Sequence, residues 1–161
     1  MDPQTCRAQM GRLIEEETTA LGDLAVLLDR EFAHMQDNDV DALGDAMRAR
    51  HKCVARILKV DDERRALCRT LGRPHDLTGL KALLAWCDPQ GTLSAAWAAC
   101  TAAAIKCRGL NDRNGAMAGA RLQNVQARLG VLVDGRRESM TYGPRGTCSV
   151  AAGRQGLIRE A

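Results

Sequence analysis

Apolar side chains recur along most of this chain at steps of three, four and seven residues, and no stretch alternates with a period of two. That is the spacing of helices rather than strands. The first run predicts a helix from about Thr5 to Gln36, where Ile14, Leu21, Leu28 and Met35 repeat every seven residues. Met10, Leu13, Leu24, Leu27 and Phe32 flank that seam. The resulting face is wider than a two-stranded coiled-coil seam and suits a bundle of three or more helices. Asp37-Asn38-Asp39 breaks the pattern, with Asp39 or Asn38 as the cap of the next helix. That second helix spans about Val40 to Leu71, with Val40, Leu43, Met47, Val54, Ile57, Leu58, Leu67, Cys68 and Leu71 assigned to its buried side. Two helices of about 32 residues joined by so short a turn fold back as an antiparallel hairpin. Gly72-Arg73-Pro74 ends the second helix. A short third helix, roughly Asp76 to Cys87, carries Leu77, Leu80, Leu83 and Leu84.

The longest pattern comes last. Asp88-Pro89 supplies a capping residue and a proline at the first helical position, predicting a helix over residues 89–134. Its stripe runs through Leu93, Trp97, Cys100, Ala104, Cys107, Leu110, Ala118, Leu122, Val125, Leu129 and Leu132. At about 1.5 Å per residue such a helix is a rod on the order of 69 Å long. A compact domain of this size does not enclose such a rod, so part of it is expected to seek a partner. Past Asp134 the pattern dissolves into glycines among Arg, Ser and Thr, with Val150, Leu157 and Ile158 as the strong aliphatics. That composition cannot bury enough surface to fold alone. The expectation is therefore an all-α protein: an elongated antiparallel helical bundle over 1–134, built on a hairpin, with a long C-terminal helix and a flexible partner-binding tail over 135–161.

Composition sharpens this picture in a few places. The aromatics are Phe32, Trp86, Trp97 and Tyr142, and β-branched residues are few. No apolar run reaches the roughly 18 residues of a membrane span. The charged N-terminus lacks a secretory pattern, so the chain is expected to stay in the cytosol unless exported by other means. Basic and acidic side chains cancel over residues 1–134, so the net +3 resides in the tail, whose five arginines face Glu138 and Glu160. That excess is far below a nucleic-acid footprint. Seven scattered cysteines, none in a CxxC pair, read as small core hydrophobes in a reducing compartment.

Candidate chemistry is fragmentary. A di-iron bundle needs two Glu-x-x-His motifs and further inward carboxylates. This chain has one such motif, Glu31 to His34, and neither His51 nor His75 follows a glutamate at that spacing. A helical-bundle enzyme or metal carrier using Glu31, His34 and the scattered thiols is therefore the alternative reading, and no cofactor is expected. Zinc-finger spacing and phosphate-binding loops are absent. Asn111 and Asn114 interrupt the apolar stripe and share a face with Cys107, Ala118 and Leu122. Two readings stand. They hydrogen-bond within the bundle and fix its register, or the bundle stops near them and the helix continues as an exposed arm. In the second case Leu122, Val125, Leu129, Leu132 and Val133 form a surface for a partner helix. Gly115 and Gly119 mark a close helix crossing.

The run Leu110-Asn111-Asp112-Arg113-Asn114-Gly115, the apolar helix through Leu122, Val125 and Leu129, and then Thr141-Tyr142-Gly143-Pro144-Arg145-Gly146 together resemble the bacterial FlgN-type flagellar export chaperones. The likeness extends to layout: a helical hairpin, a long last helix and a flexible tail after a Tyr-Gly motif. Arg145 stands where the commoner family pattern, Tyr-Gly-x-Asp-Gly, has an acid. The resemblance implies a cytoplasmic, non-enzymatic type III export chaperone. Its implied clients are the terminal helices of hook-associated proteins, which it keeps from premature assembly and delivers to the export gate. On that reading the client meets Leu122, Val125, Leu129, Leu132 and Val133, and Tyr142-Gly143 sits at the edge of the contact or docks to the export apparatus. Asn111, Asn114 and Gly115 are the family motif. Neither nucleic acid nor membrane insertion is expected, and the free chain can form a homodimer through the same stripe.

Overall fold

The computed structural model describes the backbone of residues 1–74, 76–138, 140–142 and 148–150, and the side chains of that chain as far as Val131. Four helices, α1 (Pro3–Asp37), α2 (Val40–Thr70), α3 (Leu77–Cys87) and α4 (Ser94–Glu138), make an all-α fold. Among the described residues the extended backbone is one antiparallel pair, β1 (Met140–Tyr142) and β2 (Cys148–Val150), with Tyr142 opposite Cys148. The chain divides into two compact units, Met1–Met117 and Ala118–Ala161.

Local chemistry sets each boundary in the first unit. The Asp2 carboxylate accepts hydrogen bonds from the backbone N–H groups of Gln4 and Thr5, both at 3.0 Å, and Pro3 occupies a position where no N–H is needed. Asn38 ends α1 in the left-handed conformation, φ 57°, a region open to asparagine at little cost. Asp39 then caps α2 by accepting from the Ala42 N–H at 3.0 Å. Gly72, with φ 62°, closes α2, and the Arg73 N–H returns to the Cys68 carbonyl at 2.9 Å. The turn folds so tightly over α3 that a Cβ on Gly79 would lie 1.8 Å from the Pro74 carbonyl oxygen.

The last helix starts later than the Asp88-Pro89 signal predicts. Gly91 adopts φ 68° and interrupts the backbone, so α4 begins at Ser94 rather than at Pro89. Asp88 still caps it, from further away. Its carboxylate accepts from Thr92 Oγ1 at 2.6 Å and from the Leu93 N–H at 2.7 Å. Those bonds hold the Asp88 carboxyl below the ordinary carboxylate pKa, the Thr92 hydroxyl contributing most.

In the first unit α1 is the central helix. Its seam of Ile14, Leu21, Leu28 and Met35 is buried as the heptad predicts, together with Cys6, Met10, Leu13 and Ala25. Against it pack Leu67 and Cys68 of α2, Leu80, Leu83 and Cys87 of α3, and Cys100 and Cys107 of α4. Ion pairs Arg12–Glu63 at 3.0 Å, Arg56–Asp23 at 3.3 Å and Arg64–Glu17 at 2.5 Å stitch α1 to an antiparallel α2. α4 runs parallel to α1: Cys107 reaches Leu21 and Asn114 reaches Leu28, the same offset twice. The face that α2 buries differs from the one expected. Its seam is Ala46, Cys53, Val60 and Leu67, each seven residues from the last, while Val40, Met47 and Leu58 are exposed. Small side chains at Ala46 and Cys53 let the helix backbones approach, and the Cys53 thiol donates to the Ala20 carbonyl at 3.2 Å.

Candidate partner-binding site

Where α1, α2 and α4 meet near the end of the first unit, a polar layer replaces the apolar seam. The Glu31 carboxylate is buried and takes one bond from Arg50 Nη1 at 3.1 Å. The other guanidinium nitrogen of Arg50 donates to Asn111 Oδ1 at 2.7 Å. Asn114 is buried, and its Nδ2 donates to the Leu28 carbonyl at 2.8 Å. Arg113 lies with its guanidinium carbon 4.0 Å from the Phe32 ring centroid and pairs with Asp29 at 3.0 Å. Both asparagines thus bond across helices, which supports the register reading of them. The division between compact units comes three residues after Asn114, so the second reading also has structural content.

Sequence spacing could not find Arg50, Asp29 or Arg113 as parts of this layer, because their partners lie on other helices. An arginine beside an asparagine pair on a stripe otherwise apolar was the one local signal.

Glu31 Oε1 is the one buried side-chain polar atom without a partner among the described residues. No group of three His, Cys, Asp or Glu side chains suited to a metal ion occurs among them either, so Glu31 and His34 are not joined by a third ligand. His34 instead closes α1, its carbonyl accepting the Asp39 N–H at 3.1 Å. The six cysteines whose side chains are described are all buried. Burial, then the hydrogen bond to Cys87, pushes the Cys6 thiol up to about 12, and burial likewise raises Cys53, Cys68, Cys100 and Cys107. Such thiols stay protonated at neutral pH and are poor nucleophiles and poor ligands. A cleft of about 320 Å³ lined by Asp61, Arg64, Cys68, Asp76, Leu80 and Trp97 holds an arginine already bound by Glu17 and Asp61.

The second unit presents a different surface. Within α4, Leu122 is 59% exposed, Val125 53% and Leu129 55%, far more than large aliphatics of a closed core. Val131 is also exposed but sits off that stripe. Leu132 and Val133 continue the helix, and Tyr142 lies in β1; their side chains, and Gly143 altogether, lie outside the described residues. A Cβ on Gly115 or Gly119 would meet nothing within 4 Å, so no helix crosses closely at either glycine among the described residues. No helix of the described chain is long and apolar enough to cross a membrane.

No curated protein and no solved structure matches this chain. A family model described as FlgN protein matches residues 7–149, which takes in α2, α3, α4 and nearly all of α1. The polar layer, the long last helix and its aliphatic stripe thus all fall within the match, and the chain belongs to the FlgN family of flagellar export chaperones.

Proposed function

We propose that this chain works in the cytoplasm as the chaperone of hook-associated proteins, holding their terminal helices and delivering them to the export gate. Family membership supports the export-chaperone role. The observation that carries the choice of client surface is the exposed run of Leu122, Val125 and Leu129 on one helix face. A client's terminal helix, itself amphipathic, lays its apolar side on that run and is thereby kept from assembling early.

Energetics set the extent of the contact. Covering three half-exposed aliphatics yields roughly 3–4 kcal/mol, about the lowest estimate for the freedom lost on association. Those three side chains alone cannot hold a client. The interface therefore continues through Leu132 and Val133 toward Tyr142 and Gly143, with Tyr142 packing at its edge or meeting the export apparatus. Asn111, Asn114 and Gly115 act earlier on the helix, positioning it rather than touching the client.

Co-purification of a hook-associated protein with the full chain tests this reading. Replacing Leu122, Val125 and Leu129 together by Ser is expected to abolish capture, and ending the chain after Glu138 to weaken it severely, both with little change in helicity. Undiminished capture by the triple variant would remove the stripe from the mechanism.

A further inference from the structure

Leu122, Val125 and Leu129 stand exposed on one face of α4 in the second unit, which runs on to residue 161. Its last eleven residues, 151–161, are Ala, Gly, Arg, Gln and Glu apart from one adjacent pair of large aliphatics, Leu157 and Ile158. The turn of the chain brings that pair within range of the stripe. β1 begins two residues past the end of α4 at Glu138, and β2 runs antiparallel to it with Val150 opposite Met140. The strands thus lead away from the helix end and return to it, so residue 151 sets out from beside Met140. Counting the step from Glu138 to Met140, Leu129 lies roughly 20 Å back from that point, Val125 roughly 26 Å and Leu122 roughly 31 Å. Leu157 and Ile158 come seven and eight residues after Val150, a reach of roughly 23–26 Å when extended. Leu129 is within that reach, Val125 is at its limit and Leu122 is beyond it.

We propose that in the free chain Leu157 and Ile158 fold back onto Leu129 and Val125, a cover that the client helix displaces. The inference rests on the chaperone reading above, which makes the stripe the client surface, and adds a regulator of that surface. A tether this short holds the pair near the stripe at an effective concentration on the order of mM. A second copy of this chain competes only when its own concentration is comparable, so it is the poorer occupant. The cover is weak by composition. Two aliphatics provide its apolar area, and arginines outnumber carboxylates both on residues 118–138 and on residues 151–161, so charge does not hold it shut. Such a contact opens well below the melting of the helices and leaves Tm unchanged. A stripe left free about one third of the time binds a client about threefold more weakly than an open one. Ending the chain after Glu138 removes the cover together with the Tyr142 end of the client contact, so point changes are what isolate it.

The test uses the full chain, a synthetic peptide of the terminal helix of the host's hook-associated protein, and anilinonaphthalene sulfonate as a dye for uncovered apolar surface. Leu157→Ser with Ile158→Ser is expected to tighten the peptide about threefold and to raise dye fluorescence, with helicity unchanged. Added to Leu129→Ser, the tail change should bring no further tightening. Added to Leu122→Ser, which lies out of reach, it should still bring about threefold. Unchanged peptide affinity and dye signal in the tail variant overturn the inference. Weaker peptide binding makes Leu157 and Ile158 part of the client contact and overturns it as well. In both cases loss of the peptide on changing Leu122, Val125 and Leu129 together to Ser leaves the chaperone reading intact. Normal peptide binding by that triple variant overturns the chaperone surface instead, and with it the role of the cover. A wild-type dimer in sedimentation that Leu129→Ser splits and the tail change leaves whole places a second copy on the stripe and overturns the inference.

Discussion

The two halves of α4 invert the usual relation between hydrophobicity and burial. Upstream of Met117 its innermost residues are Cys100, Cys107 and Asn114, at 4%, 5% and 5% exposure; downstream, Leu122, Val125 and Leu129 are all more than half exposed. On an ideal helix Cys107, Asn114 and Val125 share one face to within roughly 20°. Coverage, not side-chain greasiness, separates them. In the first unit α1 approaches so closely that its carbonyls are reached directly, Leu21 by the Cys107 thiol at 3.1 Å and Leu28 by the Asn114 amide at 2.8 Å. Only small or hydrogen-bonding side chains fit such a contact. The helix carries its large aliphatics where the described chain leaves them exposed, an arrangement that suits the proposed client surface.

The greatest damage to the covered half should come from its polar layer. Glu31 is 4% exposed and Arg50 34%, and among the described residues Arg50 provides the sole bond to a carboxylate whose other oxygen has none. Arg50→Met leaves that charge buried and unpaired, and also frees Asn111. We expect a loss of about 3 kcal/mol, toward the lower end for a broken buried pair because the arginine is partly in water. In a chain of this size that is a fall in Tm of roughly 6–12 °C. The paired change Glu31→Leu with Arg50→Leu should recover most of it, since well-packed apolar residues replace such pairs at little cost. A thermal melt of the three proteins decides it. Equal losses in single and double variants would mean that the layer acts by shape and not by charge.

Next in size is an attempt to make the covered half resemble the exposed one. Cys107→Leu puts a leucine where the thiol meets the Leu21 carbonyl and adds volume to a seam already closed by Cys53 and Ala20. Overpacking of this kind costs about 1–3 kcal/mol. Cys107→Ala should cost less than Cys107→Leu, although alanine is the less hydrophobic residue. Denaturant midpoints for the two variants check the order; a more stable Leu variant would show that small side chains are not what this contact requires.

These contrasts also mark how much could be read from the sequence. The α1 seam was legible because Ile14, Leu21, Leu28 and Met35 are large and regularly spaced. The α2 seam was not. Weight given to Val40, Met47 and Leu58 hid the true line through Ala46, Cys53 and Val60, where closeness of helices favours small residues. At the start of α4 the capping signal was right about Asp88 and wrong about distance. The turn at Gly91 lets that carboxylate cap from five residues upstream of Leu93. The aliphatic stripe at Leu122, Val125 and Leu129 was visible because large aliphatics recur there at helical spacing. Arg50 with Glu31, 19 positions away, and Arg113 with the more distant Phe32 bring together residues of different helices, which no local spacing announces.

The smallest expected effect gives the most direct comparison of the two regions, because the same substitution can be made in each. Val60 on α2 is 1% exposed and Val125 on α4 is 53% exposed. In both, Val→Ala removes the same atoms and gains the same helix propensity, about half a kcal/mol. At Val60 the lost burial and the cavity outweigh that gain, for a net cost of roughly 1–2 kcal/mol. At Val125 half of the side chain is already in water and no cavity forms, so loss and gain nearly cancel and the change should stay within about 0.5 kcal/mol of zero. Client capture should show the opposite order, weakened by Val125→Ala and untouched by Val60→Ala at temperatures where the variant remains folded. If Val125→Ala lowers Tm as much as Val60→Ala does, then the folded monomer already covers its own stripe, and a client helix would find no apolar face there to occupy.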